Sequence, residues 1–515
     1  MSSDNEARAA RNIGFGAVAL VLIVIFGVAF KFFVYPKLHD SLVEATSAGT
    51  TYTSTLTICG DSFAGYAVVR SPQMKQELGS RGVRLKWTDD AADYTARAKA
   101  LQGGECDMAV NTVDADLVTG VALGEFPASM IFVIDESRGA DGVVAYQASV
   151  PNVQALNQTG VKIVATANSP SETLARQMIA GMLPALVNES WLEEAEGAEA
   201  VYKTLTRGSP SDRKAYVLWE PWLSKALEVQ GVTRIYDSSA TSGAIVDVMM
   251  VNRSYLATHL DDTVFFTQAY FRSLWYYVSQ PTGMVDLVLQ DAKATGSDLT
   301  AEQAKATVEG IVWKTTLENY AHMGLTPRYE AKGIPTMEDM IAGISRFLVR
   351  TGKLRENPVE AREHELYYDA VLRQMQAQKF HPGGEEQMRG SSELPALTSP
   401  EWDKLTVVGN LDAKAIVFKR NSSELSPEGN RDVHDIALQL KGWPTYYITV
   451  EGHARADAAD QVAAGALARA RAQTVAEGLA SAGISKNRVR GMTKPATQSN
   501  GEGQSVTFIL AQKPF

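Results

Sequence analysis

The sequence predicts an α/β protein in three parts: one N-terminal transmembrane helix, a large middle region, and a small α+β domain at the C-terminus. The first part is indicated by an uncharged apolar run at residues 13–30. The second is indicated by short apolar runs that alternate with helical stretches between residues 55 and 379. The third is a compact pattern of strands and helices within residues 405–515, after a polar linker at 380–404.

The composition is that of a globular protein and excludes several classes of function. A chain of 515 residues with 45% hydrophobic and 21% charged residues is expected to fold into two or three domains. Its formal net charge of −10, with no basic stripe, argues against nucleic acid as a partner. The middle region has no metal motif, phosphate loop or nucleophile motif, and the seven histidines are scattered. We therefore predict a protein that is not an enzyme and uses no cofactor or metal.

Residues 13–35 are predicted to anchor the chain in a membrane. The uncharged run from 13 to 30 is about 27 Å long as a helix, close to the thickness of a bilayer core. Tyr35 and Pro36 then mark the membrane interface and the helix end. The alternative is a cleaved signal peptide, which has a shorter apolar region and an A-x-A-like site that this sequence lacks. Residues 1–12 are then a short cytoplasmic tail, and residues 36–54 a tether.

Seven short apolar runs in the middle region are predicted to be buried parallel strands of β-α units. They lie at residues 56–59, 108–110, 130–134, 143–145, 161–165, 216–218 and 245–249. In such folds, ligands bind beyond the carboxyl ends of the strands. Polar clusters follow three of these runs, with the candidate ligand contacts Asp61, Ser62, Phe63, Asn111, Thr112, Asp114, Ser169, Ser171 and Thr173.

The cluster around Ser169 has two interpretations. Ser169 is a plausible N-cap, Pro170 suits the first helical position, and Glu172 favours the positive end of a helix. Backbone N–H groups at such a helix start can bind an oxyanion. The alternative is that these residues only cap the helix.

The middle region resembles the type II periplasmic solute-binding proteins of the nitrate, sulfonate, taurine and thiamine-precursor ABC transporter group. The resemblance covers about residues 55–325 and is carried by segments 104–109 (GECDMA), 141–144 (DGVV), 216–222 (YVLWEPW), 247–251 (DVMMV) and 310–313 (GIVW). It implies two α/β lobes joined by crossing strands, with a small-molecule ligand trapped between them. It also adds Trp219 and Glu220 of the second lobe to the candidate contacts.

The charge of these candidates favours a cationic or neutral ligand. Three of them, Asp61, Asp114 and Glu220, are acidic, and none is Lys or Arg. Nearby carboxylates oppose an anion, whereas an aromatic face such as that of Trp219 attracts a cation. Arg207 and Arg213 are close to Glu220 in the sequence and can reverse this local balance.

The C-terminal part is predicted to contain four strands and two helices. The strands are expected at 415–418, 446–451, 488–492 and 505–511, and the helices at 426–441 and 461–482. Ser426 and Pro427 provide the cap and first position of the first helix, and Gly483 ends the second.

This part resembles OmpA-like peptidoglycan-associated domains over almost all of residues 412–514. The resemblance rests on Phe418 and on segments 423–429 (SELSPEG), 450–453 (VEGH) and 467–472 (LARARA). It implies a peptidoglycan contact through Arg471, with His453 in the preceding motif. The family's aspartate after the Gly-His pair is replaced by Ala454-Arg455, and Asp457 is a candidate substitute. Weaker cell-wall binding, or docking of another envelope protein, therefore remains an alternative.

Cys59 and Cys106 are too few for a disulfide scaffold and lack zinc-site spacing. Cys59 is expected to end one strand and Cys106 to begin another. If those strands are parallel, the two sulfurs are far apart. We therefore expect two buried free thiols, with a disulfide as the alternative.

Together these features predict a binding protein in the bacterial inner membrane, with both folded domains in the periplasm. The second hypothesis is a structural subunit of an envelope assembly that keeps the two-lobed fold as a scaffold. A third, an ion-driven stator subunit, requires an ionisable residue within the membrane helix, and residues 13–30 contain none.

Overall fold

The structure, a computed structural model, describes residues 52–240, 243–327, 329–331, 334–384, 386–388, 394–411, 413, 415–419, 422–441, 446–453, 461–493 and 506–513. The predicted membrane helix at 13–35, the tail before it and almost all of the tether after it lie outside these residues. Among the residues that are described, no helix is both long and apolar enough to span a membrane.

The middle region forms two lobes, each built on a mixed sheet. The first lobe contains β1 (Ser54–Gly60), β2 (Val83–Asp89), β3 (Met108–Thr112), β4 (Ala128–Ser137), β10 (Val246–Asn252) and β11 (Ile311–Trp313), in the order β11-β4-β10-β3-β1-β2. The second contains β5 (Asp141–Tyr146), β6 (Lys162–Ala165), β7 (Leu192–Glu194), β8 (Lys214–Trp219) and β9 (Val232–Asp237), in the order β7-β6-β8-β5-β9. The chain crosses between the lobes from β4 to β5 and again from β9 to β10. The Oγ atoms of Ser137 and Ser238, one beside each crossing, are hydrogen-bonded at 2.7 Å.

The prediction that all seven apolar runs form parallel strands is wrong for three of them, β4, β5 and β10. Among the described strands, β4 pairs only with β10 and β11, and both pairings are antiparallel. All seven lie in strands, and β1 is parallel to β3 and β6 to β8, as predicted. However, β5 is antiparallel to β8 and β9, and β10 is antiparallel to β3 and β4. These are the first strands after each crossing. Each of these two strands enters its sheet from the other lobe. It therefore runs in the opposite direction to strands that are connected within the lobe by β-α units.

Helices connect these strands, and several begin at residues with clear capping chemistry. Ser169 accepts a hydrogen bond from the backbone N of Ser171, with Pro170 at the first helical position, as predicted. Thr315 and Thr336 each begin a helix with a reciprocal capping box. The helices are α1 (Ala67–Arg70), α2 (Pro72–Gly79), α3 (Tyr94–Gly103), α4 (Val113–Leu123), α5 (Pro170–Met182), α6 (Gly197–Arg207), α7 (Trp222–Leu227), α8 (Arg253–Thr258), α9 (Leu260–Val278), α10 (Gly283–Ala294), α11 (Ala301–Glu309), α12 (Thr316–His322), α13 (Met337–Arg350) and α14 (Ala370–Ala377).

Cys59 and Cys106 are joined in a disulfide, so the expectation of two free thiols is wrong. Cys59 lies in β1, whereas Cys106 lies before β3 rather than in it, and their Cα atoms are 5.9 Å apart. This distance is within the usual range for disulfides. Because Cys106 belongs to the loop after α3, the chain there can approach β1, where the backbone N of Asp107 donates to the Thr57 carbonyl at 3.0 Å.

The C-terminal domain is a sheet covered by helices. Its strands are β12 (Thr406–Leu411), β13 (Tyr447–Gly452), β14 (Val489–Thr493) and β15 (Val506–Gln512), in the order β12-β15-β13-β14. Its helices are α15 (Ser399–Asp403), α16 (Pro427–Lys441) and α17 (Gln461–Ser481). Helix α17 packs against β13 and β14, and α16 packs against α17.

The first predicted strand of this domain, 415–418, is wrong. There Phe418 makes only an isolated bridge to Leu425, and the edge position belongs to β12. Gly409 and Asn410 break the apolar pattern of β12 and conceal it in the sequence. The pairing of β12 with β15 accommodates them through a register shift between Val407 and Gly409.

The predicted linker at 380–404 has contacts at both of its ends. Near its start, Glu386 accepts hydrogen bonds from the backbone N and Oγ1 of Thr316, both at 3.2 Å. Near its end, the Pro395 carbonyl accepts a hydrogen bond from the Tyr447 hydroxyl at 3.0 Å. Trp402 of α15 packs edge-on against the same tyrosine, with ring centroids 5.2 Å apart. The segment is thus held by the domains that it connects.

Candidate ligand-binding cleft

A narrow crevice lies between the two lobes, where several strands end. The first lobe contributes side chains from the segment after β1, from the start of α3 and from the start of β10. The second lobe contributes the first residue of β5, the first of α5 and the last of β8. The lining residues are Phe63, Tyr66, Tyr94, Asp141, Pro170, Trp219, Ile245 and Asp247.

Four aromatic rings form much of the crevice wall. Phe63 and Tyr66 come from one short segment and pack edge-on, with ring centroids 5.2 Å apart. Tyr94 and Trp219 are also largely buried, at 5% and 6% exposure. Burial raises the pKa of Tyr66 and of Tyr94 well above that of a free tyrosine, so both rings are neutral. The wall is therefore largely apolar and aromatic, and the Tyr66 hydroxyl donates a hydrogen bond to Asp247.

Two carboxyl groups, those of Asp141 and Asp247, face this aromatic wall. Asp247 accepts a short hydrogen bond from the Tyr66 hydroxyl, and it is paired across the sheet with Asp135 of β4. Burial raises the pKa of Asp135 and of Asp247 well above that of a free aspartate, and the charge of Asp135 adds to the rise at Asp247. Two neighbouring buried carboxylates repel each other strongly, so this pair holds at least one proton.

Asp141 and Glu220 are buried carboxyls of the second lobe that titrate near neutrality. Burial raises the pKa of Asp141 to about 7, and the negative charges of Asp114, Glu220 and Asp61 add to this rise. Burial also raises the pKa of Glu220 to about 7, although hydrogen bonds from Ser224 oppose it. Around pH 7 both groups are therefore divided between the neutral and ionised forms.

A buried cation beside the crevice, Arg97, is already engaged. Its guanidinium donates to Asp61 at 2.8 Å, to Asp90 at 2.6 Å and to the Val110 carbonyl at 2.9 Å. It also lies over the ring of Tyr94, 4.7 Å from the centroid. Arg97 is 1% exposed. Asp61 therefore serves as a partner for Arg97 rather than as a free carboxylate in the crevice.

The structure brings some of the predicted contacts to the crevice and gives others internal roles. Phe63 and Trp219 line it. Ser169 caps α5, Asn111 accepts a hydrogen bond from the backbone N of Thr112, and Glu220 accepts from Ser224. Asp114 accepts a hydrogen bond from the Thr173 hydroxyl at 2.5 Å, which joins the two lobes. Ser171 is fully buried in α5, and Ser62 is half-buried.

Six of the lining residues were not predicted as contacts from the sequence: Tyr66, Tyr94, Asp141, Pro170, Ile245 and Asp247. A signal for two of them was present. Asp141 and Asp247 lie in segments that are otherwise apolar, where an acidic side chain costs free energy unless it is paired or functional. Within the described residues, no group of three or more His, Cys, Asp or Glu side chains is arranged to hold a metal ion.

In the C-terminal domain, the proposed peptidoglycan contact Arg471 is buried. It is 1% exposed, its Nε donates to the Ser422 carbonyl at 3.0 Å, and its guanidinium lies 4.8 Å from the ring centroid of Phe418. Burial lowers its pKa. His453 follows β13, and its Nε2 lies 2.9 Å from the Thr507 hydroxyl. Asp457, the candidate acidic partner, lies outside the described residues.

Comparison with solved structures finds periplasmic binding proteins. One is the sulfonate-binding protein SsuA from Methylobacillus flagellatus KT, 10% identical, with 67% of this chain and 99% of that chain covered and a TM-score of 0.46. Another is the nitrate-binding protein NrtA from Synechocystis PCC 6803, 9% identical, with 63% and 89% covered and a TM-score of 0.46. A desulfurization enzyme, DSZB, is also similar, at 11% identity, 64% and 100% coverage and a TM-score of 0.43.

Comparison of the sequence itself identifies the C-terminal domain. No curated protein matches the chain. Residues 417–506 match the family model of the OmpA family. This match confirms the OmpA-like domain that the sequence predicted. The chain thus joins a two-lobed α/β region, similar to ABC-type periplasmic binding proteins, to an OmpA-like domain.

Proposed function

We propose that this protein is a binding protein of the bacterial inner membrane that captures a small cationic solute between its lobes and contacts peptidoglycan through its C-terminal domain. In this proposal it performs no catalysis. One observation carries it. The described residues that line the crevice combine four aromatic rings with two carboxyl groups, and include no lysine or arginine.

This lining suits an organic cation better than an anion. A cation over an aromatic face gains about 0.5–2 kcal/mol, and a carboxylate within contact distance adds a direct charge interaction. An anion would instead face Asp141, which is partly ionised at pH 7, while Arg97 is occupied by Asp61 and Asp90.

Two features support a location on the periplasmic side of the membrane. The disulfide between Cys59 and Cys106 belongs to an oxidising compartment, because cytosolic thiols are kept reduced. An OmpA-like domain that binds peptidoglycan must also lie in the same compartment as the peptidoglycan. With the apolar segment 13–35 as an uncleaved anchor, both folded regions would lie in the periplasm. In the C-terminal domain, Arg471 remains the proposed contact, with Asp457 and His453 as its proposed partners.

Calorimetric titration of the full chain in detergent tests the ligand class. The probes are choline, its uncharged carbon analogue 3,3-dimethylbutanol, nitrate and methanesulfonate. We expect choline to bind, the uncharged analogue to bind more weakly, and the two anions not to bind. Binding should also stabilise the fold, by about 2.7 kcal/mol at a ligand concentration 100 times Kd. Binding of either anion without choline would refute the cationic ligand.

A pair of tryptophan substitutions supplies the matched control. Trp219→Ala removes a crevice wall and should weaken choline binding about tenfold, the equivalent of about 1.4 kcal/mol. Trp222→Ala removes a half-buried indole of α7 that packs on Tyr202, outside the crevice lining, and should leave the affinity unchanged. Equal affinities for the two variants would show that the crevice is not the binding site.

The second candidate function is a structural subunit of an envelope assembly with a scaffold that binds no solute. The bond from Thr173 to Asp114 favours it, because it joins the two lobes directly, side chain to side chain. If this is correct, no small molecule in a broad thermal-shift library should raise the unfolding temperature. Under the first proposal, at least one organic cation should do so.

A further inference from the structure

The second lobe and the C-terminal domain share one apolar core. Strand β12 of the C-terminal domain packs against helix α5 and against the 3₁₀ helix Val153–Leu156 of the second lobe. The buried side chains of both domains form one continuous cluster. Representative members on the two sides are Leu174, Met178, Met182, Leu411, Ile436 and Ile448. An apolar core that extends across two domains is expected to hold them together, since separating them exposes that surface to water.

A buried tyrosine pair reinforces this contact. Tyr236, in β9 of the second lobe, is 1% exposed, and Tyr446, directly before β13, is 0% exposed. Their hydroxyl groups are close enough to influence each other's ionisation across the interface. Burial raises the pKa of both hydroxyls well above that of a free tyrosine, so the interaction is between neutral groups. A polar pair buried in this way makes one arrangement of the domains more favourable than others.

Helix α5 links this interface to the cleft. Its first residue, Pro170, lines the crevice. Thr173 donates to Asp114 of the first lobe at 2.5 Å. Glu172 forms an ion pair at 2.7 Å with Lys353, which follows helix α13, and α13 packs against α4 of the first lobe. The first turns of α5 therefore hold the first lobe, while its body holds the C-terminal domain.

We propose that the second lobe and the C-terminal domain move as one body, so that opening or closing of the cleft turns the C-terminal domain relative to the first lobe. A helix of 13 residues, about 20 Å long, is stiff enough to transmit such a movement. When the cleft opens, α5 leaves Asp114 and Lys353 and takes β12 with it. The orientation of the C-terminal domain relative to the first lobe then depends on whether the cleft is open or closed. This inference depends on the interface and the hinge, not on the identity of the solute.

Distances between spin labels on the full chain in detergent test this. The native cysteines are bonded to each other, so they do not react with the label. Each variant carries two new cysteines at exposed positions, and these two are labelled selectively. Suitable sites are Lys99 in the first lobe, Thr206 in the second and Glu477 in the C-terminal domain. We expect one narrow distance distribution between positions 206 and 477. A distribution as broad as that of a flexible linker would overturn the proposal.

Two variants separate the docking from the coupling. Thr173→Val with Lys353→Met removes two bonds across the cleft. It should change the 99–206 and 99–477 distances together and leave the 206–477 distance unchanged. Tyr236→Ala should broaden only the distances to position 477. The coupling would be refuted if the 99–477 distance were unchanged in the first variant. It would also be refuted if the 206–477 distribution were unchanged in the second. No solute is added, so these results are independent of the calorimetric test of the ligand.

Discussion

Replacing Asp141 by asparagine should stabilise the protein at alkaline pH. Burial raises the pKa of Asp141 to about 7 in the folded protein, whereas a free aspartate has a pKa of about 4. The folded state thus retains a proton that the unfolded state releases as the pH rises from 4 to 7. The stability that this proton provides is complete below pH 4 and is lost as the pH rises through 7. The Asp141→Asn substitution keeps the shape of the side chain and removes the ionisation.

The magnitude follows from the difference between the two pKa values. A difference of about 3 units corresponds to about 4 kcal/mol of unfolding free energy that the wild type loses by pH 8. At pH 5.5 the loss is about half as large, about 2 kcal/mol, because it grows by about 1.4 kcal/mol per pH unit between the two pKa values. Asp141→Asn should therefore be more stable than the wild type by up to about 4 kcal/mol at pH 8 and about 2 kcal/mol at pH 5.5.

Urea unfolding followed by tryptophan fluorescence at both pH values measures this difference. Asp237→Asn is the matched control. That carboxylate is 3% exposed, but it has an ion pair with Arg234 at 2.9 Å. The control substitution removes a favourable charge interaction and should lower stability at pH 8. If Asp141→Asn lowered stability at pH 8, or shifted it equally at both pH values, the reasoning about its burial would be refuted.

Three further substitutions test other parts of the structure. Arg97→Met leaves the buried Asp61 and the partly buried Asp90 without their cation and should lower the unfolding free energy in urea by about 3–5 kcal/mol. Lys203→Met, at an exposed helical pair, should change it by less than ~0.5 kcal/mol, and similar effects of the two substitutions would contradict the ion network around Arg97. Cys59→Ser removes the disulfide that closes a loop with a sequence separation of 47, and it should lower the unfolding free energy by about 4 kcal/mol. A reductant should lower the melting temperature of the wild type but not that of this variant. Arg471→Ala should reduce retention of the protein on purified sacculi. The control Arg490→Ala, which removes a partly exposed ion pair with Asp403, should not reduce it. Equal retention of both variants, with unchanged circular dichroism, would exclude a direct role for Arg471.

Local sequence patterns predicted most of the secondary structure because their causes lie within a few residues. Ser169 and Pro170 begin α5, Pro427 begins α16, and the apolar runs of the middle region all lie in strands. Capping, proline geometry and apolar periodicity each depend on neighbours along the chain. The two-lobed arrangement and the OmpA-like domain were also predictable, since they rest on the order of such segments. Strand β12 was missed because its pairing with β15 compensates for a glycine that weakens the local pattern.

What the sequence by itself determined is most of the elements, the two kinds of domain and the acidic, aromatic character of the candidate site. Only the tertiary structure decided which side chains meet. Tyr66 and Asp247 are 181 residues apart in sequence and share a hydrogen bond in the crevice. Strand direction after each crossing, the joining of Cys59 to Cys106 and the docking of β12 on α5 were decided in the same way. Each depends on contacts between segments that are distant in the sequence. Those contacts stabilise the protein only after the segments have folded together, so no local pattern predicts them.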